Sequence, residues 1–434
     1  MDPILLSALI AILFILLGSG VWVAFALIAV GFAALGMFTN SPTGSLAATS
    51  LWTATNSWAV TSLPLFIWMA EILHRTRLAN DMFSGLAPWL IRLPGRLLHV
   101  NILACGIFAA VSGSSAATAA TVAKITVPEL AQRGYDQKMT ICTLAGSGTL
   151  GILVPPSVVM IVYGFVTDTS IARLFVAGVG PSIMMILLFM AYTGGWALLN
   201  PGKTPPADIH MPFRQKVWAS RRLIPVGSLI ILVIGSIYAG FATPTEAAAL
   251  GVAGALCVSW AFGTLNRHNF SEALMAATRT SCFIVFIVAA ASYLSTAMSF
   301  SGIPQTFART IVGWGLSYYG LLVILGLLYL LLGCFLDNYS MILLTMGVVQ
   351  PLLKTMGIDL VWFGIFVVIA SEMAQLTPPV GFNLFVLQNY TGKNIFFIAK
   401  AAFPFFCLLL LGLILITVFP EIVLYLPRQF LGGK

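Results

Sequence analysis

The segment "TLGILVPPS" (residues 149–157) places two adjacent prolines inside a run that is otherwise apolar. A similar segment, "AQLTPPVGF", occupies residues 374–382. Proline in a helix interior removes a backbone hydrogen bond and costs about 3 kcal/mol. The chain breaks two apolar runs in nearly the same way. We therefore expect the backbone N–H and C=O groups that lose their helical hydrogen bonds at these breaks to have a role in the function of the protein.

The composition places these runs in a membrane. The chain has 434 residues, of which 59% are hydrophobic and only 8% charged. Its mean hydropathy is +1.01. Soluble domains carry about 25% charged residues, and the apolar runs here are long and continuous. The sequence therefore predicts an all-α polytopic membrane protein.

Charge and motifs exclude several functions. The net charge of +8 is dispersed over loops, which favours contact with anionic membrane lipid and argues against a nucleic-acid partner. The four histidines have no metal-binding spacing, and no phosphate-binding loop occurs. An enzyme would need a nucleophile with a base, or a metal pair, inside the membrane, and the sequence offers neither.

The two proline segments belong to a longer internal repeat with an offset of 223 positions. The shift superposes Pro128 on Pro351, Pro155–Pro156 on Pro378–Pro379, and Pro181 on Pro404. Such coincidences indicate an internal duplication. The sequence of each half then predicts about five spans, a short amphipathic arm, a re-entrant helical hairpin and a broken helix. The span at 51–73 corresponds to the one at 277–299, and the last predicted span of the second half is 394–418. The predicted parts are a first repeat at 1–199 (hairpin 96–129, broken helix 138–164), a linker at 200–222, and a second repeat at 223–434 (hairpin 318–353, broken helix 360–388).

Five spans per half is an odd number, so the second half must be inverted relative to the first. If the first hairpin opens to the cytoplasm, the 200–222 linker is also cytoplasmic, and most of the 21 lysines and arginines fall on that side. This agrees with the positive-inside rule. We therefore predict two inverted-topology repeats.

Helix breaks are tolerated in a membrane only where protein, water or an ion binds the backbone N–H and C=O groups that the break leaves unpaired. Both breaks and both hairpin tips ("SGSS" at 112–115 and Asp337–Asn338) carry oxygen-bearing side chains or glycine. Carbonyl and hydroxyl oxygens suit a hard monovalent cation such as Na⁺, and half-helix N-termini suit an anion. Asp337 and Glu372 lie in apolar stretches, where a carboxyl group is by default functional or paired.

Each motif alone has a simpler explanation. "SGSS" is more often a loop or a small-residue helix contact, and a single Pro-Pro pair is usually a kink. A structural scaffold, however, would not need matched helix breaks. The recurrence of the whole set at one offset favours a transporter.

At these motifs the sequence resembles the large membrane subunit of tripartite ATP-independent periplasmic (TRAP) transporters, in the ion transporter superfamily. The resemblance covers nearly the full chain. Its main segments are "HVNILACGIFAAVSGSSAATAATVAKITVPELAQRGYD" (99–136), "GTLGILVPPSVVMIVYG" (148–164), "PTEAAALG" (244–251), "LGCFLDNYSMILL" (332–344) and "LTPPVGFNLFVLQ" (376–388).

The resemblance implies an elevator-type secondary transporter in the bacterial inner membrane, driven by sodium. It would take a small organic anion, such as a C4-dicarboxylate or a sugar acid, from a periplasmic substrate-binding protein. Its other partner would be a small four-helix membrane subunit on a separate chain. A stand-alone symporter or antiporter of the same superfamily, without a binding protein, is the alternative.

The resemblance also implies the sites. One sodium site would lie between the first tip and the first break, its mate between the second tip and the second break, and the substrate between the two tips. The candidate Na⁺ ligands are Ser112, Gly113, Ser115, Gly148 and Thr149 in the first half, and Gly333, Asp337, Asn338, Thr377, Pro378 and Gly381 in the second. The candidate substrate-binding residues are Ser114, Ser115, Pro155, Pro156, Asn338, Pro379 and Asn383.

Overall fold

The structure is a computed structural model that describes residues 3–38, 42–206, 211–302, 315–379 and 381–430, with residues 304, 306, 311 and 313. In this part of the chain the regular secondary structure is helical, and no strand occurs. The all-α class expected from the apolar runs is confirmed.

The first half of the chain forms eleven helices within the described residues. They are α1 (Pro3–Gly18), α2 (Val23–Phe38), α3 (Thr43–Thr55), α4 (Trp58–His74), α5 (Leu78–Leu90), α6 (Leu98–Ser112), α7 (Ser115–Gln132), α8 (Gln137–Gly148), α9 (Leu150–Leu153), α10 (Val158–Val166) and α11 (Ile171–Leu199).

The linker and the second half follow the same plan. Their helices are α12 (Phe213–Ser220), α13 (Ile224–Tyr238), α14 (Pro244–Ala261), α15 (Arg267–Ser301), α16 (Tyr318–Gly333), α17 (Asn338–Thr355), α18 (Leu360–Gln375), α19 (Phe382–Thr391), α20 (Ile395–Val418) and α21 (Glu421–Phe430), with short 3-10 turns at Pro201–Lys203 and Arg221–Leu223.

Helix starts recur at the offset seen in the sequence. Ser115 begins α7 and Asn338 begins α17, and Gln137 and Leu360 begin α8 and α18. Each pair is separated by 223 positions. Both Pro155–Pro156 and Pro378–Pro379 are joined by cis peptide bonds. The inversion of the two halves across a membrane stays a prediction, because no membrane accompanies the chain.

The helices also differ from the sequence prediction in three places. The span expected at 51–73 is divided into α3 and α4 at Asn56–Ser57, whereas its counterpart α15 is one continuous helix of 35 residues. Helix α12 lies inside the predicted linker, and α21 follows the last predicted span. The arm predicted before the second hairpin falls mostly outside the described residues.

The centre of the molecule is formed by the first segments of the two broken helices. Every residue from Met139 to Gly148 on α8 and from Val361 to Gln375 on α18 is buried. Helix α8 packs against α6, α7 and α20, and α18 packs against α11, α16 and α20. Because α20 belongs to the second half and contacts both, the two halves share one core.

The periphery is apolar and uncovered. Four helices of the described residues are long and apolar enough to cross a membrane, or five if the bent pair Gln137–Leu153 and Val158–Val166 counts as one span. Five shorter apolar helices accompany them. Side chains such as Phe241 (89% exposed) and Trp260 (75% exposed) face outward. Such a surface is stable against lipid rather than water.

Candidate functional site

The first hairpin tip lies directly against the first helix break. Gly113 separates α6 from α7 and adopts a φ of +59°, in the left-handed region that favours glycine. A Cβ atom on Gly113 would lie 3.4 Å from the carbonyl oxygen of Pro156. Ser114 caps α7 by accepting a hydrogen bond from the backbone N–H of Ala117. Tip and break are therefore in van der Waals contact.

A second close contact joins the first hairpin tip to the first helix break. A Cβ atom on Gly151 would lie 2.5 Å from Cα of Ser115 and 2.6 Å from the carbonyl oxygen of Ser114. Only a glycine on α9 permits this approach, because the neighbouring atoms belong to the backbone and cannot rotate away. The sequence predicts that this tip and this break meet, and the structure places them together.

The hydroxyl groups at the first tip are mostly paired within their own half. Ser112 Oγ and Thr118 Oγ1 lie 2.6 Å apart, and Thr149 Oγ1 donates to the carbonyl oxygen of Gly146 at 2.5 Å. A Cβ atom on Gly148 would lie 2.9 Å from Cβ of Ala119 on α7 and 3.8 Å from Nδ2 of Asn383 in the second half.

The second tip contacts the second break in an equivalent way. A Cβ atom on Gly333 would lie 2.6 Å from Cβ of Ala374, and Cys334 Sγ lies 3.1 Å from Thr377 Oγ1. Gly381 has a φ of +32°, and a Cβ atom there would lie 3.0 Å from the carbonyl oxygens of Gln375 and Thr377. Backbone oxygens thus crowd around this break.

Asp337 acts as the N-cap of α17. Its carboxylate accepts hydrogen bonds from the backbone N–H groups of Tyr339 and Ser340, both at 3.1 Å, and from Ser340 Oγ at 2.5 Å. This cap satisfies the free donors at the start of the helix. Its oxygens are already engaged, so any role of Asp337 as a sodium ligand stays a prediction.

Both tips reach the same turn of α18. Ser115 Oγ donates to Glu372 Oε1, a contact between the first tip and the second broken helix. Gln375 Nε2 donates to Asn338 Oδ1 of the second tip at 2.9 Å. Residues three apart on a helix share one face. We call these four residues (Ser115, Asn338, Glu372 and Gln375) the inter-tip cluster.

Two buried residues of the second broken helix have polar atoms without a hydrogen-bond partner among the described residues. Glu372 is 1% exposed and Asn383 is 0% exposed. Glu372 Oε2 and both amide atoms of Asn383 form no hydrogen bond with described protein atoms. Buried polar groups are nearly always hydrogen-bonded, so such atoms indicate a ligand, an ion or a proton.

The proline pairs differ in their surroundings. Pro155 and Pro156 are buried, whereas Pro378 is half-buried and Pro379 is exposed. The first break is therefore enclosed by protein, and the second opens at Pro379.

The sequence missed part of this arrangement. It predicts Ser115, Asn338 and Asn383 as site residues; the structure places Ser115 and Asn338 in the inter-tip cluster and Asn383 close to Gly148 of the first broken helix. Glu372 is recognisable as a carboxyl group in an apolar run, but its contact with Ser115 is not. Gln375 was not predicted, and its position just before the second proline pair was the available signal. Direct binding of sodium by any residue stays a prediction.

Comparison with known proteins covers nearly the whole chain. The family model described as "Tripartite ATP-independent periplasmic transporter, DctM component" matches residues 10–422. The chain is 31% identical over 382 residues to a C4-dicarboxylate TRAP transporter large permease protein of Pseudomonas aeruginosa, covering 88% of this chain and 89% of the relative. It is 29% identical over 404 residues to the isethionate TRAP transporter permease protein DctMQ of Oleidesulfovibrio alaskensis, covering 92% of this chain and 63% of that protein.

A solved structure has the same fold. The crystal structure of the Alcanivorax borkumensis YdaH transporter matches with a TM-score of 0.59, covering 92% of this chain and 97% of that one. At 14% sequence identity, this likeness concerns the fold alone.

Proposed function

The chain belongs to the family of the DctM component of tripartite ATP-independent periplasmic transporters, and on that premise we propose that it imports a small organic anion by coupling it to sodium entry. The observation that carries the proposal is the inter-tip cluster. Two hairpin tips from different halves meet on one turn of α18, and the second broken helix carries buried polar atoms that form no hydrogen bond with any described residue.

The substrate class follows from the groups between the tips. The Asn383 amide has two N–H donors that no described protein atom accepts. The N-terminus of α7 begins at the first tip, and a helix N-terminus favours a negatively charged group. Relatives are named for C4-dicarboxylate and for isethionate, both small organic anions. A carboxylate such as a C4-dicarboxylate or a sugar acid fits this arrangement.

Sodium supplies the driving force. Hydroxyl groups and crowded carbonyl oxygens surround both breaks, and oxygen ligands of this kind suit Na⁺. Each charge that enters releases about 2.3 kcal/mol per 100 mV of membrane potential. This energy drives uptake only when sodium and substrate favour the same conformation.

The moving unit consists of the hairpins and broken helices of both halves. Each tip is in contact with its own break, and the inter-tip cluster joins the two pairs. These contacts would let the four segments move as one body against the outer helices, in an elevator motion.

The other two parts of the system are separate proteins. We propose a small membrane subunit of four helices and a periplasmic binding protein that delivers the substrate, with this chain in the bacterial inner membrane. The present chain spans 63% of the relative named DctMQ, which leaves room for a further segment in that protein. In the stand-alone alternative, neither partner would be needed.

The test is uptake into liposomes that contain this chain and the small subunit, with the binding protein added outside. Uptake should stop when the inward sodium gradient is replaced by an equal potassium gradient. Undiminished uptake in potassium would refute sodium coupling, and uptake without the binding protein would support the stand-alone alternative. Mass spectrometry of the ligand that copurifies with the binding protein would identify the substrate.

A further inference from the structure

A groove lies beside the linker, between three helices that are distant from the inter-tip cluster along the chain. Its walls are α5, the C-terminal end of α7, and α12 with the 3-10 turn that follows it, and its volume is about 700 Å³. Phe83, Ala87 and Pro88 line it on α5. Trp218 and Arg222 line it on the side of α12. We call it the linker groove.

The α5 wall of the linker groove is apolar. Phe83, Ala87 and Pro88 are buried in α5, the helix at the position of the predicted amphipathic arm. A Cβ atom on Gly85 would lie 2.9 Å from Cγ of Leu223, so α5 packs closely against the turn that follows α12. A wall of this kind suits a hydrocarbon chain.

Helix α12 is attached to α5 through Trp89. Trp89 Nε1 donates a hydrogen bond to Ser220 Oγ at 2.8 Å, and Lys216 Nζ lies 6.0 Å from the centre of the Trp89 ring. The Phe213 ring lies 5.9 Å from the Trp89 ring in an edge-on arrangement. These contacts set the orientation of α12, because they bring one of its faces against the α5 end.

The remaining surface of α12 exposes large apolar side chains. Phe213, Val217 and Trp218 are all exposed on a helix of eight residues. A surface helix with both apolar and basic side chains is stable at the boundary between lipid headgroups and acyl chains. The exposed face of α12 therefore fits a lipid surface better than water.

The charge around the linker groove is positive. Residues 211–238 contain no acidic residue and four basic residues, which are Arg214, Lys216, Arg221 and Arg222. The three arginines are exposed, and the ion pairs found among the described residues do not include them. Glu129 also lines the groove, but Arg133 on the next turn of α7 neutralises it at 2.5 Å.

A ligand with one apolar part and one anionic part matches this groove. The Arg222 guanidinium can form paired hydrogen bonds with a phosphate group. The Trp218 indole and the α5 wall can contact an acyl chain at the same time. A phospholipid with a quaternary ammonium headgroup fits less well, because its positive charge would oppose the arginines.

We propose that the linker groove binds one anionic phospholipid, with its phosphate at Arg222 and an acyl chain along Trp218 and the α5 wall. One wall is α7 of the first hairpin, and the others are the arm and the linker. The lipid therefore contacts the hairpin and the segments outside it together. Its binding depends neither on the transported substrate nor on sodium.

The test is native mass spectrometry of the purified full chain, freed of lipid in detergent and titrated with dioleoyl phosphatidylglycerol. Dioleoyl phosphatidylcholine is the matched lipid without net charge, and glycerophosphoglycerol is the matched headgroup without acyl chains. The first phosphatidylglycerol should bind at least about fivefold more tightly than the first phosphatidylcholine. Equal affinity for the two lipids would overturn the proposal, and so would equally tight binding of glycerophosphoglycerol.

Two variants of equal net charge locate the headgroup. Arg222→Gln should weaken phosphatidylglycerol binding about fivefold and leave phosphatidylcholine binding unchanged. Arg267→Gln is the control, because Arg267 is exposed at the start of α15 and does not line the linker groove. Equal losses in both variants would show a general effect of surface charge and overturn the site.

Trp218→Ala keeps the test valid if Arg222→Gln does not fold. Trp218 is exposed, so its loss leaves no cavity in the core, and it should weaken binding of both lipids about tenfold. Trp260→Ala, which removes an exposed tryptophan on α14, should have little effect. Equal effects of the two variants would contradict the position given to the acyl chain.

Two other occupants of the linker groove are distinguished by the same preparation. Loss of phosphatidylglycerol binding after the small membrane subunit is added would assign the groove to that subunit. A dimer of this chain that dissociates in Trp218→Ala would assign the groove to a second copy. Either result overturns the lipid site.

Discussion

Ser115 and Glu372 are 257 positions apart in the sequence, yet the hydroxyl group of Ser115 donates a hydrogen bond to the carboxyl group of Glu372. Ser115 is the first residue of α7 at one hairpin tip, and Glu372 lies on the broken helix of the other half. A change at either residue therefore acts on both halves of the molecule.

Ser115→Ala should lower the initial uptake rate about tenfold or more, because it leaves a buried carboxyl group without a protein partner. Ser115→Thr, which keeps a hydroxyl group, should restore part of the rate. Ser228→Ala is the control, since Ser228 is exposed and, among the described residues, its hydroxyl group donates to the carbonyl oxygen of Pro225 in its own helix. Equal rates for Ser115→Ala and Ser228→Ala would contradict a role for the contact.

Asn383→Leu should reduce uptake about tenfold or more while leaving the unfolding temperature unchanged or higher. The Asn383 amide has no partner among the residues that the structure describes, and replacing an unsatisfied buried polar group by an apolar one of similar size removes a cost of about 1–3 kcal/mol. Asn101→Leu offers a contrast, because Asn101 Nδ2 donates to Thr143 Oγ1 at 2.9 Å and its loss should destabilise the fold. If Asn383→Leu unfolds as readily as Asn101→Leu, Asn383 is structural.

Gly151→Ala should separate the first tip from the first break. The added Cβ would lie 2.5 Å from Cα of Ser115, and overpacking of this kind costs about 1–3 kcal/mol or more. Thermal unfolding in detergent should show a lower midpoint, and uptake should be lost. Gly227→Ala on α13, where no atom lies within 4 Å of the added Cβ, should be neutral or slightly stabilising. A stable, active Gly151→Ala protein would show that tip and break are not tightly joined.

Asn338→Ala and Gln375→Ala should not be additive. The two amides share a hydrogen bond of 2.9 Å, so a double-mutant cycle on thermal unfolding should give a coupling of about 0.5–1.5 kcal/mol. Additive effects would mean that this bond does not connect the second tip to α18 in the working protein.

Replacing NaCl by KCl at equal ionic strength should lower the unfolding temperature of the purified chain. An ion that binds only the folded state stabilises it by about 2.7 kcal/mol at a hundred times its Kd. Gly151→Ala, which disturbs the first predicted sodium site, should reduce the difference between the two salts, and Gly227→Ala should not. An identical midpoint in both salts for the wild type would speak against sodium binding by this chain alone.

Much of the fold could be predicted because its signals are local. Long apolar runs predict helices in a membrane protein, and the Pro-Pro pairs mark where a helix cannot continue, since proline lacks the N–H donor. The helices α6, α7, α16 and α17 occupy the two stretches predicted as hairpins, within a few residues. The division of α3 from α4 was missed, because Asn56 and Ser57 interrupt the run without a proline or a charge.

The site could be predicted only in outline. The sequence selects Ser115, Asn338 and Asn383 from tips and breaks that recur at one offset. Ser115 and Asn338 belong to the inter-tip cluster, and Asn383 lies close to Gly148 of the first broken helix. It did not select Gln375, because an amide before a helix break has no distinctive spacing. It also selected Asp337 of the second tip as a candidate sodium ligand beside Gly333 and Asn338; the structure shows the Asp337 carboxylate capping α17, and its role as a ligand stays a prediction.

The sequence by itself determined that this chain is a helical membrane protein with repeated breaks, since apolar length and proline chemistry act within a few residues of the chain. The tertiary structure decided which polar groups meet. The contact of Ser115 with Glu372, and the unpartnered amide of Asn383 beside Gly148, depend on packing between halves that are distant along the chain. Hydrogen bonds require distances near 3 Å, and only the folded core sets such distances between remote residues.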